Sequence, residues 1–270
     1  MSDPESPSAD RSGGSIRSSI HALSGAIAFL TRIPVPGPAE ADFEAFRRSP
    51  WAMPIVGAVV GAIAGAAFFL PLPWPTVVAV YLLAVYLLTG VTHADGLADL
   101  GDAIAAHDPE RRREALRDAG VGVGGVLALV VTLFALAFGA AGLASTPSMI
   151  APVAFRIALA AEIGAKLGMA TLVCLGTAAH EGLGSRLIDV SGKRALVPSG
   201  VVALFAVVGV PSDVLPAAFA ALLAGPVVAV VLLVRTRSWL GGVSGDVLGA
   251  ANELGRALAI HAGVIAWTIA

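Results

Sequence analysis

Residues 51 to 70 read WAMPIVGAVVGAIAGAAFFL, a stretch without a single charge. A helix rises about 1.5 Å per residue, so this run reaches across the roughly 30 Å hydrocarbon layer of a bilayer. Gly57, Gly61 and Gly65 recur at four-residue spacing, the small-residue stripe through which transmembrane helices approach closely. That stripe is packing, not chemistry. Working outward, apolar runs occupy 75 to 92, 121 to 143, 150 to 176, 197 to 211, 215 to 234 and 247 to 269. The run at 197 to 211 is short, so the expected architecture is an all-α, polytopic integral membrane helical bundle of about six to seven spans.

Composition agrees with that reading. The chain has 270 residues, 57% hydrophobic and 13% charged, whereas ordinary soluble domains are about 25% charged. A water-facing surface cannot be built from it. A single membrane domain is expected over 20 to 270, with no length left for a separate soluble one. The net charge of -2 argues against a nucleic-acid partner, which would call for a basic face. One cysteine, Cys174, excludes an internal disulfide and thiolate metal clusters. Residues 1 to 19 are rich in Ser, Pro, Asp and Gly, the composition of a disordered polar tail, and no secretory signal is read there. Residues 20 to 31 (IHALSGAIAFLT) form an apolar run short for a span. A re-entrant or interfacial helix is expected there.

Charge alternates along the connections. PLPWP, ASTPS and PSDVLP carry no Lys or Arg, whereas the segments near 93 to 120, 177 to 196 and 235 to 246 are rich in them. Within the apolar runs, only Arg156, Lys166 and Arg256 are basic. This positive-inside pattern places the charged face, and any site on it, in the cytoplasm of the cell membrane.

On that face the chain reads His93-Ala94-Asp95-Gly96-Leu97-Ala98-Asp99-Leu100-Gly101-Asp102. In a helix, Asp95, Asp99 and Asp102 fall at i, i+4 and i+7 and share one stripe. Three like charges on one stripe repel unless a cation compensates them, and hard oxygen ligands suit Mg²⁺ or Mn²⁺ shared with substrate phosphates. A solvated acidic face is the alternative. Asp246 and Glu253 form a second acidic pair at i and i+7, behind the glycine-rich Gly241-Gly242-Val243-Ser244-Gly245. Arg117 and the intramembrane Arg156 complete a phosphate-binding set, with a structural pairing of Arg156 to Glu162 as the rival reading. His93 stands two residues before Asp95 as a ligand, a base or a solvated boundary histidine. His107, His180, His21 and His261 show no metal-like spacing.

Several motifs in order carry a resemblance: Thr31-Arg32-Ile33-Pro34-Val35-Pro36, Pro54-Ile55-Val56-Gly57, the His93 to Asp102 element, Glu181-Gly182-Leu183-Gly184, and Gly241 through Asp246 with Gly249-Ala250 and Glu253. The chain resembles the cobalamin synthase family, the adenosylcobinamide-GDP ribazoletransferases, from about residue 23 onward. The resemblance implies a Mg²⁺-dependent membrane enzyme that joins adenosylcobinamide-GDP to α-ribazole or its 5'-phosphate and releases GMP. It carries Asp95, Asp99 and Asp102 over to the family's first acidic motif and Asp246 and Glu253 to its second. Together with the reading of the residues above, Asp95, Asp99, Asp102 and Asp246 are expected to be catalytic, these four with Glu253 to hold metal, and Arg32, Arg117, Arg156, His93 and Gly245 to bind substrate. The chain departs from the family pattern after Arg117-Asp118, where Ala119, Val123 and Gly124 replace polar residues, so the backbone of that turn is the candidate there.

Other classes also fit acids in a membrane. A CDP-alcohol phosphotransferase or prenyltransferase would set aspartates around Mg²⁺ and a diphosphate, but the former's Ala-Arg after Asp-Gly is missing near Asp99 and Leu100. A cation transporter would want its acids near the bilayer midplane.

Overall fold

The computed structural model describes residues 8–116 and 120–270. Its elements are α1 (Ser8–Leu30), α2 (Ala39–Arg47), α3 (Ala52–Gly65), α4 (Trp74–Thr89), α5 (Thr92–Ala105), α6 (Pro109–Ala115), α7 (Val123–Ser145), α8 (Ala151–Leu175), α9 (Leu183–Ile188), α10 (Leu196–Leu204), α11 (Leu215–Trp239) and α12 (Gly245–Ile269). Among the described residues there is no strand, only one isolated bridge between Ala178 and Val243. The all-α bundle expected from the apolar runs is what forms.

Helix α8 is the axis of the bundle, buried along almost its whole length and packed by α3, α11 and α12. Lipid tails are as apolar as leucine, so helices in a membrane associate through close van der Waals contact rather than through escape from water. Small residues make that contact possible. Gly57 and Gly61 lie on the α8 backbone near Glu162 and Leu159, and Gly164 and Gly168 lie on α11 at Leu222 and Gly225. The order of these contacts runs α3 antiparallel and α11 parallel to α8, which carries the connections at 93–116, 176–195 and 240–244 to one end of the bundle.

Among the described residues, four segments are long and apolar enough to cross a membrane, Ala52–Phe69, Val123–Ser145, Ala151–Leu175 and Leu215–Trp239, or five if α4 and α5 count as one broken span. This is fewer than the six to seven expected, for two physical reasons. The run at 197–211 is helical only over nine residues before a 3₁₀ turn. Helix α12 has the length, 25 residues, but its polar residues, including Glu253 and Arg256, turn inward. Inward charge is hidden from lipid yet lowers the apolarity of the sequence.

At the N-terminus, α1 begins at Ser8, inside the stretch expected to be an unstructured tail. Extending a helix from an apolar nucleus at 20–31 is easier than nucleating one. Residues 1–7 lie outside the described residues. Prolines 34, 36 and 38 end α1 and reverse the chain into α2, since proline has no N–H for a helix interior. The two helices are pinned where Gly25 meets the Asp42 backbone and where His21 Nδ1 lies 2.5 Å from Asp42 Oδ1.

Helix α5 decides where the site lies. It turns 92° away from α4 at Gly90, whose φ is +68°, and runs across the end of the bundle over the first turns of α7 and α12. Glycine is needed at both crossings: a Cβ at Gly96 would stand 2.7 Å from the Asp246 Cα, and one at Gly101 would stand 2.8 Å from the Gly124 carbonyl oxygen.

Candidate active site

The crossing of α5 over α12 brings the two acidic elements together. Gly96 and Gly249 let the backbones touch, with Gly249 against His93 and Gly96, so that Asp95 and Asp99 lie beside Asp246. Serine caps the α12 start: Ser244 Oγ accepts from the Val247 N–H at 3.4 Å and donates to Asp246 Oδ2 at 3.1 Å. The Gly241–Ser244 loop is clipped to the neighbouring 177–180 loop by the Val243 N–H donating to the Thr177 carbonyl at 2.8 Å and the Ala179 N–H donating to the Val243 carbonyl at 3.0 Å.

These contacts close a cleft of about 330 Å³ whose walls include His93, Asp95, His180, Gly184, Gly245 and Asp246. Helix α9 forms one side, held by buried Leu187 and Ile188 and by Arg186, whose guanidinium lies 4.7 Å from the Phe43 ring centroid. Gly184 packs onto the Gly245 amide. His180, given no role from sequence, sits close enough to Asp246 to act on its charge. Its only sequence signal is its place next to Glu181-Gly182-Leu183-Gly184.

Asp99 is half-buried, and its carboxyl is pushed up to about 6 by burial first and then by the charges of Asp246, Asp95 and Asp102. Mutual repulsion of this kind is relieved by a bound cation. Among the described residues no three His, Cys, Asp or Glu side chains form a ready-made metal cage. Mg²⁺ seldom has one: it keeps waters and combines one or two carboxylates with substrate phosphates. Asp95, Asp99 and Asp246 therefore fit a cation shared with a substrate.

Two expected metal ligands are occupied elsewhere. Asp102 caps α7, its Oδ2 accepting from the Gly122 N–H at 2.7 Å and its Oδ1 from the Gly125 N–H at 2.9 Å. A carboxylate at a helix start meets unpaired N–H groups and the positive dipole end. Glu253 lies two turns deeper in α12, where it accepts from Tyr86 Oη at 2.9 Å, from Asn252 Nδ2 at 3.0 Å and from Arg256 Nη1 at 2.8 Å. Residues i and i+7 share a face, but one faces the cleft and the other the bundle interior.

The basic candidates also divide. Arg32 is exposed beside Gly90 at the α4–α5 bend, with its N–H donating to the Leu88 carbonyl at 2.6 Å. It shares the cleft's end of the bundle without lining the cleft. Arg156 stands near the start of α8, next to Phe155, which packs on Phe69. That is the opposite end of the bundle. Its presumed partner Glu162 pairs with Arg256 instead, so Arg156 is corrected out of the phosphate-binding set. Arg117 lies outside the described residues.

A polytopic α-helical bundle with a carboxylate cleft at one end, beside a histidine and glycine-rich backbone, fits a class: membrane-embedded enzymes. Within it, residues 22–264 match the family described as cobalamin-5-phosphate synthase, and the chain belongs to that family. It is 48% identical over 253 residues to the adenosylcobinamide-GDP ribazoletransferase of Halorubrum lacusprofundi, covering 92% of this chain and 98% of that protein. The enzyme of the same name from Haloquadratum walsbyi is 44% identical over 256 residues, covering 93% and 99%. That of Citrobacter koseri is 36% identical over 238 residues, covering 85% and 93%. No solved structure matches the chain.

Proposed function

We propose that the chain joins adenosylcobinamide-GDP to α-ribazole or its 5'-phosphate and releases GMP, at the cleft between α5, α9 and α12. The observation that carries this reading is the meeting of Asp95 and Asp246 in one cleft, from elements about 150 residues apart in a chain of this family. A ribazole hydroxyl attacks the phosphate joined to cobinamide. An O–P bond forms, the bridging P–O bond breaks, and its electron pair leaves with GMP. One carboxylate of the aspartate set accepts the hydroxyl proton. The Gly245 amide and His180 offer donors to phosphate oxygens. Mg²⁺, with Mn²⁺ as a substitute, is proposed to be held by Asp95, Asp99 and Asp246 together with the diphosphate, where it would neutralise charge on the leaving phosphate.

The test supplies purified membranes with adenosylcobinamide-GDP, α-ribazole and Mg²⁺ and measures GMP. GMP release should stop with EDTA and return with Mg²⁺ or Mn²⁺, and the Mg²⁺ needed should rise as pH falls through about 6, where Asp99 takes up a proton. Release that is indifferent to EDTA would remove the cation from the reading.

The cleft is placed in the cytoplasm of the cell membrane, and α1 at its surface, because Lys and Arg cluster on that side. In a Cys174→Ala background, Ser238→Cys should react with an impermeant thiol reagent only from the cytoplasmic face, and Ser148→Cys only from the other. Labelling of both from one face would contradict the arrangement.

A further inference from the structure

Part of the cleft lining is apolar, beside polar residues that include His93, Asp95, His180, Ser185 and Asp246. Phe29 from α1, Met169 from α8, Leu183 and Leu187 from α9, and Leu248 from α12 all line it. A diphosphate and a cation have no use for such a wall, and a bare apolar wall next to carboxylates calls for a ligand with an apolar half. We propose that this part of the cleft is the subsite for the aromatic base of α-ribazole, and that the corrin ring of the other substrate stays outside it. The inference rests on the transfer reading above and assigns its two substrates to different places.

Size and polarity select between them. At about 330 Å³ the cleft is at the small end of ligand pockets, roughly 300–1,000 Å³. That space suits one nucleoside, whereas a corrin ring with its amide side chains and adenosyl group is several times larger and would extend into the open grooves that adjoin the cleft at Leu183 and His180. The guanosine of the same substrate is small enough, but the exocyclic oxygen and nitrogen of guanine call for the polar part of the lining, at Asp95, His180, Ser185 and Asp246, and not for its leucine and methionine part. A benzimidazole is flat and bears only ring nitrogens. His93 adds a second observation, since it lines the cleft and its buried Nδ1 has no hydrogen-bond partner. Unsatisfied buried groups of this kind mark places where a ligand completes the site.

Leu183 is the residue to vary, because it is 60% exposed at the start of α9, and substitutions at exposed positions usually cost the fold little. Leu183→Glu should raise the KM for α-ribazole about tenfold or more, with the KM for adenosylcobinamide-GDP within about twofold, and Leu183→Met should restore it. Saturable binding of α-ribazole alone to the detergent-solubilised protein, measured by calorimetry, should weaken by the same factor in Leu183→Glu. Equal losses for both substrates, a loss confined to adenosylcobinamide-GDP, or no change overturns the assignment. If the unsubstituted protein binds α-ribazole at Leu183 yet releases no GMP, the subsite stands and the transfer reading falls.

Discussion

Asp246→Asn is expected to lower GMP release by about 100-fold or more and to raise the Mg²⁺ concentration needed for half-maximal rate, with the protein still folded and inserted. The substitution is nearly isosteric. Asparagine still offers an oxygen to the Ser244 hydroxyl, and the α12 cap made by Ser244 to the Val247 N–H is untouched. What disappears is one negative charge from the set with Asp95 and Asp99. The Asp99→Asn, Asp246→Asn double variant should be scarcely worse than either single one, because groups that act as one unit are grossly non-additive. Asp102→Asn and Glu253→Gln serve as the contrast. The first weakens the cap on α7, worth about 0.5–2 kcal/mol, and the second disturbs the bundle interior, so neither should change the Mg²⁺ requirement. Additive losses, or an unchanged requirement in Asp246→Asn, would separate α5 from α12 functionally.

The second large effect lies inside the bundle. Arg256 on α12 is fully buried, bonded to Glu162 of α8 and to Glu253 one turn away, and Lys166 Nζ donates to Asn252 Oδ1 at 2.5 Å. Tyr86 of α4 joins through Glu253. Charges within a membrane protein face the interior and pair there. Removing one partner leaves an uncompensated buried charge, at a loss of about 3–5 kcal/mol. Arg256→Met should therefore strip α12 from α8 and lower the melting temperature of the solubilised protein sharply, with little protein accumulating. Converting Glu162 to glutamine in the same chain should recover much of the loss, because the remaining carboxylate of Glu253 is then balanced by Lys166, the one buried cation left among the described residues. A stable Arg256→Met variant would show that helix packing alone holds these three helices.

Which acids the fold brings to one cleft was only half legible along the chain. Asp95 and Asp99 at i and i+4 on one helix, and Asp246 behind a glycine loop, were identifiable from spacing and from the cost of acid at a membrane boundary. Asp102 and Glu253 satisfied the same spacing rules. Periodicity along one helix states which residues share a face, not what that face meets. Asp102 met the unpaired amides of α7, twenty residues and more away, and Glu253 met Arg256 and a tyrosine from α4. Arg156 and Glu162 looked like partners because they are neighbours in sequence, yet Glu162 takes its cation from α12.

Composition and apolar run length by themselves determined a membrane bundle, and the alternation of Lys and Arg determined which connections share an end. These are one-dimensional properties, set by the energy of moving each residue into lipid. Tertiary structure decided the 92° turn at Gly90, the glycine contacts that seat α5 on α12, the entry of His180 and α9 into the cleft, and the inward turn of charge that hides α12 from a hydropathy count. The reason is that a helix carries its own hydrogen bonds and side-chain spacing within its sequence, whereas close approach between helices depends on which surfaces fit, and no single segment contains both.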